Sequence, residues 1–331
     1  MSRYARQTIL PELGETGQAA LSKARVLVVG AGGLGCPVLQ YLAGAGVGHI
    51  TIVDGDTVAL SNLHRQILFR ETQIGQFKAE SAAQTLAQLN SEIEISAVTT
   101  PLAPANADAL VGQADLVVDC ADSFAASYIL SDFCLAQDKP FITASALGLT
   151  GYAGGFCGGA PSLRAVFPDL PDRAANCATA GVLGTVVGMI GAAQTQMALA
   201  VLAGIDPNPL GQLVSFDLKT FRQTSFRFDG APEPEHALSF IAAAEITPTD
   251  YVIELRGTDE APTPVTPAAL RLTVPDMPVQ RPTPNPGQRA VLTCRSGLRA
   301  WQAATHLRSY WDGPIFLIAM GDAPELERQS L

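Results

Sequence analysis

The first strong pattern is ARVLVVG (24–30), a β-branched apolar run stopped by glycine, after which the chain stays apolar over a helix-length stretch to about Gly46. HITIVD (49–54) follows, so strand, helix and strand make a parallel β-α-β unit. GQFKAESAAQTLAQLN (75–90) reads as a helix with Leu86 and Leu89 on its apolar side. EIEISAV, ADLVVDCAD and PFITASA read as further strands. Strands alternating with helices predict an α/β fold, a Rossmann-like doubly wound sheet with helices on both faces.

Beyond Gly151 the pattern changes. Strand-like pieces, GYAGGFC and QLVSFDLKTFRQTSFRF, surround an uncharged stretch from Gly181 to Gly204. That stretch approaches bilayer-spanning length, but Thr185, Gln194, Thr195 and Gln196 interrupt it and no basic cluster flanks it. It predicts a buried core or subunit-interface helix, with Gly184, Gly188, Gly191 and Ala192 allowing close packing, and no membrane span. The polar, Pro-containing DGAPEPEHALS then reads as a linker. After it come strand, Pro-rich loop, strand, helix and strand: DYVIELR, VPDMPVQRPTPNPGQ, AVLTC, LRAWQAATHLRSYW and PIFLIAM. The expected organisation is a large domain over 1–232, a linker over 233–245 and a small α/β domain over 246–331.

Composition narrows the class. Of 331 residues 47% are hydrophobic and 16% charged, which describes a well-buried globular protein. A net charge of −10 argues against nucleic acid or an anionic membrane surface as the main partner. MSRYARQTIL has neither an apolar signal core nor a transit pattern, so a cytoplasmic location is expected. Six scattered cysteines with no C-x-x-C pair favour reduced thiols over a disulfide framework.

Gly30, Gly32 and Gly35 have the G-x-G-x-x-G spacing after a strand and at the opening of a helix, where backbone N–H groups can approach phosphates. Asp54 ends the second strand, where an acid binds ribose hydroxyls. The glycines alone would suit an NAD(P)-dependent oxidoreductase equally well. Four further residues shift the balance toward a triphosphate, whose concentrated charge needs cations and a metal. Asn62, Arg65 and Lys78 follow the second strand, and Asp122 lies past the end of LVVDC, where it could hold Mg²⁺. Taken singly, Arg65 and Lys78 read as solvated surface residues and Asp122 as a helix N-cap.

These segments resemble a known family. RYARQ, GAGGLGCPVLQYLAGAGVGHITIVDGDTVALSNLHRQ, GQFKAESA and DCADS are similar, in order and over residues 1–225, to the ThiF/MoeB/HesA family of ubiquitin-activating-enzyme-like adenylyltransferases. The resemblance implies adenylation, with ATP and Mg²⁺, of the C-terminal glycine of a small ubiquitin-fold sulfur carrier ending in Gly-Gly. It further implies that Gly33 approaches the phosphates, that Asp54 binds the ribose and that Asn62, Arg65 and Lys78 contact the triphosphate. Asp122 would bind Mg²⁺, and Arg6 would enter the other subunit's site in a homodimer. Cys177 falls where some relatives form a covalent link to the carrier; its other reading is a small buried apolar residue. Many bacterial members hold zinc through two C-x-x-C pairs. Here those regions read APSLRAVFPD, with Ser162 and Ala165 at the cysteine positions, and DGAPEPE, so a zinc site is predicted absent.

TCRSGLRA follows a strand and opens a helix, so Cys294 starts a loop whose N–H groups turn inward, a setting that stabilises an anion. The six-residue span from Cys294 to Arg299 resembles the sulfur-transfer loop of rhodaneses, and YVIELRGTDE, LRLTVPDMP and GPIFLIAMGD resemble rhodanese strands. Glu254 replaces the usual aspartate, and the Pro-rich section between Pro275 and Gln288 predicts that a common helix is lost. Cys294 is then either the sulfur-carrying nucleophile or a structural thiol in a vestigial domain. The combined expectation is carrier activation coupled to sulfur transfer for molybdopterin, thiamine or related biosynthesis, with a cysteine desulfurase as the implied donor. A non-catalytic carrier-binding scaffold is the third alternative.

Overall fold

The computed structural model describes residues 3–170 and 181–321. The chain forms two compact units, the first running to Asp122 and resuming over Leu130–Phe167 and up to Glu233. The second comprises Ser123–Ile129 and the chain from Pro234.

In the first unit, helices α1 (Ala5–Thr8) and α2 (Gly14–Leu21) precede β1 (Arg25–Val29), α3 (Gly35–Ala45) and β2 (His49–Val53). Then come α4 (Lys78–Leu89), β3 (Glu94–Val98), α5 (Pro104–Gly112), β4 (Leu116–Asp119), α6 (Phe124–Ala136, counted in this unit from Leu130) and the hairpin β5 (Phe141–Leu147) and β6 (Thr150–Phe156). The unit ends with α7 (Leu163–Val166), α8 (Gly184–Ala203), β7 (Gln212–Asp217) and β8 (Arg222–Arg227). The sheet order is β3-β2-β1-β4-β5-β6-β7-β8. Strands β1 to β5 are mutually parallel, and β6, β7 and β8 extend the sheet antiparallel. Val26 pairs with Ile50 on one side and Leu116 on the other, so the order reverses between β1 and β4. Open α/β sheets bind ligands outside the carboxyl ends of strands at such a reversal.

Successive residues Val26, Leu27, Val28 and Val29 are all buried, so both faces of β1 are covered. β8 is exposed throughout, as an edge strand with one free side. The uncharged stretch forms α8, which is long and apolar enough to cross a membrane. It packs against α2, α3 and strands β4 to β6, with Val186, Val187 and Ile190 buried, and is a core helix. A side chain at Gly191 would strike Pro37 at 2.6 Å, so Gly191 sets the approach of α8 to α3, whereas Gly188 has no neighbour within 4 Å of an added Cβ. On α4 the expected apolar side is only half right. Leu86 is buried, whereas Leu89, the last residue, is 46% exposed, because the buried stripe runs through Lys78, Ala79, Ala82 and Leu86.

The second unit has a five-stranded parallel sheet, order β11-β10-β12-β13-β9. Its strands are β9 (Ser239–Phe240), β10 (Tyr251–Glu254), β11 (Leu270–Arg271), β12 (Ala290–Cys294) and β13 (Ile315–Ala319). Helices α9 (Asp276–Gln280) and α10 (Leu298–Arg308) complete it. Two expectations are corrected. The stretch expected to link the domains contains β9, because Ser239 and Phe240 pair with Phe316 and Leu317. The Pro-rich section expected to lack a helix forms α9, since Asp276 accepts hydrogen bonds from the Thr273 N–H and hydroxyl and closes the turn that opens it.

Candidate functional site

The glycine loop joins β1 to α3 at the sheet's reversal point. Gly30 has φ +94°, and a Cβ there would lie 2.6 Å from the Cys120 carbonyl at the end of β4. A Cβ on Gly35 would lie 2.0 Å from the Gly30 carbonyl. Both glycines are therefore demanded by the fold itself. Gly33 faces Val187 of α8, where an added Cβ would be 3.2 Å from a methyl. Gly32 differs, since its nearest neighbour would be Gln66 Nε2 at 3.7 Å, an ordinary contact. Among the described residues none forbids a side chain at Gly32.

Asp54 follows the end of β2 and reaches back to the loop. Its carboxylate accepts hydrogen bonds from Ala31 N–H (2.7 Å) and Asp56 N–H (2.8 Å). Burial raises its pKa above the ordinary carboxylate value, against the opposing pull of Lys78 and the two N–H groups. Lys78 opens α4 with its side chain buried, and its Nζ lies 2.8 Å from Asp56 Oδ2. Asp56 thus joins the two predicted contacts, receiving Lys78 and donating to Asp54. Sequence reasoning passed over it, although the D-G-D spelling of 54–56 was the available signal.

Asn62 ends a 3₁₀ turn, Leu60–Asn62, and its carbonyl accepts from the N–H groups of Arg65 and Gln66. Arg65 is half-buried, with Nη1 2.9 Å from His64 Nε2 and 3.2 Å from the Ser61 carbonyl. The start of α8 lies against this turn, since a Cβ on Gly184 would be 2.5 Å from the His64 carbonyl. Asp122 is exposed just past β4. Its neighbour Asp119 is fully buried and engaged, accepting from Thr143 Oγ1 (2.7 Å) and Ala121 N–H (3.0 Å), which leaves Asp122 as the accessible carboxylate at that strand end. Arg6 is exposed on α1. Tyr4 and Gln7 hold that helix down through the Tyr4 hydroxyl to Asn90 (2.9 Å) and Gln7 to the Ala45 carbonyl (2.9 Å), which leaves Arg6 on the outer side.

Around the predicted cysteine positions, Glu233 accepts hydrogen bonds from the Ser162 N–H (2.7 Å) and hydroxyl (2.5 Å), and Arg164 forms a two-pronged pair with Asp132. Among the described residues no group of three or more His, Cys, Asp or Glu side chains is placed to hold a metal. Cys177 lies outside the described residues.

In the second unit, Cys294 ends β12 with its side chain fully enclosed. Its Sγ accepts from Gly297 N–H (3.2 Å) and Ala300 N–H (3.3 Å), one from the loop and one from the first turn of α10. Arg299 is tied to the Leu255 carbonyl and to Glu260. Glu254, fully buried, takes both prongs of Arg256 (2.8 and 2.7 Å) and the Val265 N–H (3.0 Å). Burial pushes its pKa upward, but Arg256 and the N–H groups outweigh that and hold it below the ordinary value.

The loop, Asp54, Asn62, Arg65, Lys78 and Asp122 all lie in the first unit, and the ThiF family model matches residues 4–237. The chain belongs to the ThiF family. Among its relatives, adenylyltransferase and sulfurtransferase MOCS3 of Culex quinquefasciatus is 46% identical over 230 residues, 69% of this chain and 52% of that protein. The MOCS3 of Sus scrofa is 46% identical over 218 residues, 65% of this chain and 48% of that protein. This ThiF-family chain therefore matches about half the length of these relatives. The fold is also that of E. coli MccB crystallised with ATP (TM-score 0.61, 22% identity, 69% of this chain and 72% of that one). PaaA is similar in the same way (TM-score 0.60, 24% identity, covering 69% and 73%).

Proposed function

We propose that the chain adenylates the C-terminal glycine of a small ubiquitin-fold sulfur carrier with ATP, and that its second unit delivers sulfur through Cys294. The observation that supports the first half is a glycine loop at the sheet's reversal point whose Ala31 N–H bonds to Asp54, with the buried Lys78 joined to Asp54 through Asp56; Arg65, Asn62 and Asp122 are assigned to the same site. A dehydrogenase would leave Lys78, Arg65, Asn62 and Asp122 without roles. Membership of the ThiF family and the similarity to MOCS3 adenylyltransferases support the same reading.

The attacking carboxylate is already ionised, so no general base is required. The obstacle is the approach of two anions, which Arg65 and Lys78 relieve by neutralising charge on the phosphates. Asp122, an accessible oxygen donor, would hold Mg²⁺ together with the phosphates, a coordination habit typical of that ion. When bound, the metal would supply neutralisation of phosphate charge. A second copy of the chain supplies Arg6, a role that its outward placement on an anchored α1 supports. The outer sulfur of a persulfide on Cys294 then attacks the acyl-adenylate carbonyl and displaces AMP, leaving an acyl disulfide; the thiol of an external reductant attacks Cys294 Sγ, forming a disulfide with it as the old S–S bond breaks and the carrier thiocarboxylate departs. A cysteine desulfurase is the proposed donor and the cytoplasm the proposed location.

Exchange of labelled pyrophosphate into ATP tests the reading directly. Exchange should require a carrier ending in Gly-Gly, and its absence with every cognate carrier would sink the proposal.

A further inference from the structure

We infer that Tyr128, on helix α6, is a positioning residue of the Cys294 sulfur-transfer centre; this rests on the sulfur-transfer reading above. Tyr128 is far from Cys294 in sequence, yet Ser123–Ile129 belongs to the second unit. Within that unit its ring lies against Trp301 of α10, with centroids 5.1 Å apart and planes tilted by 39°. Both side chains are buried, at 3% and 4% exposure, so each ring fixes the other.

The backbone of Trp301 passes that constraint to the sulfur. Its N–H donates to the Gly297 carbonyl at 2.9 Å. Gly297 donates its own N–H to Cys294 Sγ (3.2 Å), and Ala300, the residue before Trp301, donates the second bond (3.3 Å). Both donors to the sulfur are thus one residue or one hydrogen bond away from Trp301. Ala125, one turn before Tyr128 on the same face of α6, lies 3.4 Å from a Cβ built on Gly297, and the Phe240 ring lies 2.8 Å from it. Gly297, at φ +87°, has no side chain of its own, so these neighbours set its place. The chemistry depends on that place. Cys294 Sγ attacks the outer sulfur of a donor such as thiosulfate, the S–S bond breaks and sulfite departs with the electron pair. When an acceptor such as cyanide takes the outer sulfur as thiocyanate, negative charge returns to Sγ, where the two N–H groups stabilise it.

As core packing alone, the ring pair would affect stability and leave the turnover of folded molecules unchanged. Thiosulfate-to-cyanide sulfur transfer by the full chain separates the two roles. Tyr128→Leu keeps an apolar side chain but removes the ring. Its kcat should fall about tenfold, the scale of one weakened hydrogen bond to a charged group, with KM for thiosulfate within about twofold. Tyr128→Phe keeps the ring and should retain wild-type turnover. Trp301 emission, read in a Trp311→Phe background, should shift to the red in Tyr128→Leu and stay in place in Tyr128→Phe. Undiminished turnover in Tyr128→Leu overturns the inference, and so does an equal fall in Tyr128→Phe. A fall in kcat matched by an equal loss of native circular dichroism overturns it as well, because unfolding would explain both. Turnover that survives Cys294→Ala instead defeats the sulfur-transfer reading, and leaves Tyr128 no centre to position.

Discussion

Two loops in this molecule solve the same problem in opposite ways. Each joins the end of a buried parallel strand to a helix. In the first unit the loop is made of glycine, and the point on which it closes holds no side chain of its own at Gly32. In the second unit the strand ends in Cys294, and Gly297 N–H and Ala300 N–H close on its Sγ. One loop is left bare at Gly32; the other is filled by the Cys294 sulfur. The cost falls accordingly. The open site carries strain, with Asp54 raised by burial and Gln66 Oε1 without a hydrogen-bond partner. The filled site is internally compensated, with Glu254 held by Arg256 and Arg299 by Glu260.

The sharpest way to break the comparison is to empty the filled cradle. Cys294→Ala should reduce thiosulfate sulfurtransfer to background while leaving carrier-dependent pyrophosphate exchange intact. Retained sulfurtransfer would dismiss that thiol as the sulfur acceptor and leave the second loop as mere architecture.

Next in size is the demand each loop places on its glycine. Gly35→Ala puts a methyl 2.0 Å from a backbone carbonyl that cannot swing aside, and should cost about 4 kcal/mol or more. Gly297→Ala combines φ +87° with a contact 2.8 Å from the Phe240 ring, a side chain that can shift, and should cost about half as much. Equilibrium unfolding of both variants checks the order. A reversed order would mean that the thiol loop is the more rigid of the two.

Much of this was legible in the sequence. The glycine spacing, the strand-helix alternation and the polar residues after β2 are local signals, and each follows from short-range sterics or charge. Contacts made across the fold were not. Asp56 reads as a surface acid, and only the fold shows that it holds the buried Lys78. Gln66 reads as one more polar residue in a polar run, because burial without a partner is a property of the whole packed unit. Glu233 lies in what reads as linker, and its grip on Ser162 depends on two segments 71 residues apart. Strand β9 was missed for a related reason. Two residues pair in it, too few to show a period of two.

The Asp56 contact offers a smaller test. Asp56→Asn removes the carboxylate from Lys78 but keeps a carbonyl oxygen near it. The Michaelis constant for ATP should change by about tenfold, as expected for a charge-assisted hydrogen bond at a binding lysine, with that for the carrier unaffected. A change in the carrier constant alone would place Asp56 outside the nucleotide site.

The smallest effect follows from the opposite shifts of the two carboxylates. Asp54 is raised in the folded protein, so its charged form costs stability above that folded value, and acidification toward the unfolded value near ~4 relieves the cost. Glu254 is lowered, so its support is present above its unfolded value of about 4.3 and is lost as pH falls through the folded one. Acid should therefore weaken the second unit through Glu254 while easing the first through Asp54. Both tryptophans, Trp301 and Trp311, belong to the second unit, so their fluorescence follows it selectively. Between neutral pH and about pH 3 that signal should lose stability in wild type and lose less in Glu254→Gln, whose amide does not titrate. Asp54→Asn should gain on the order of 1 kcal/mol at neutral pH in the other unit, followed by calorimetry, at the expense of nucleotide binding. If Asp54→Asn instead destabilises the ligand-free protein, its bonds to Ala31 and Asp56 outweigh its burial, and the open loop is no more strained than the filled one.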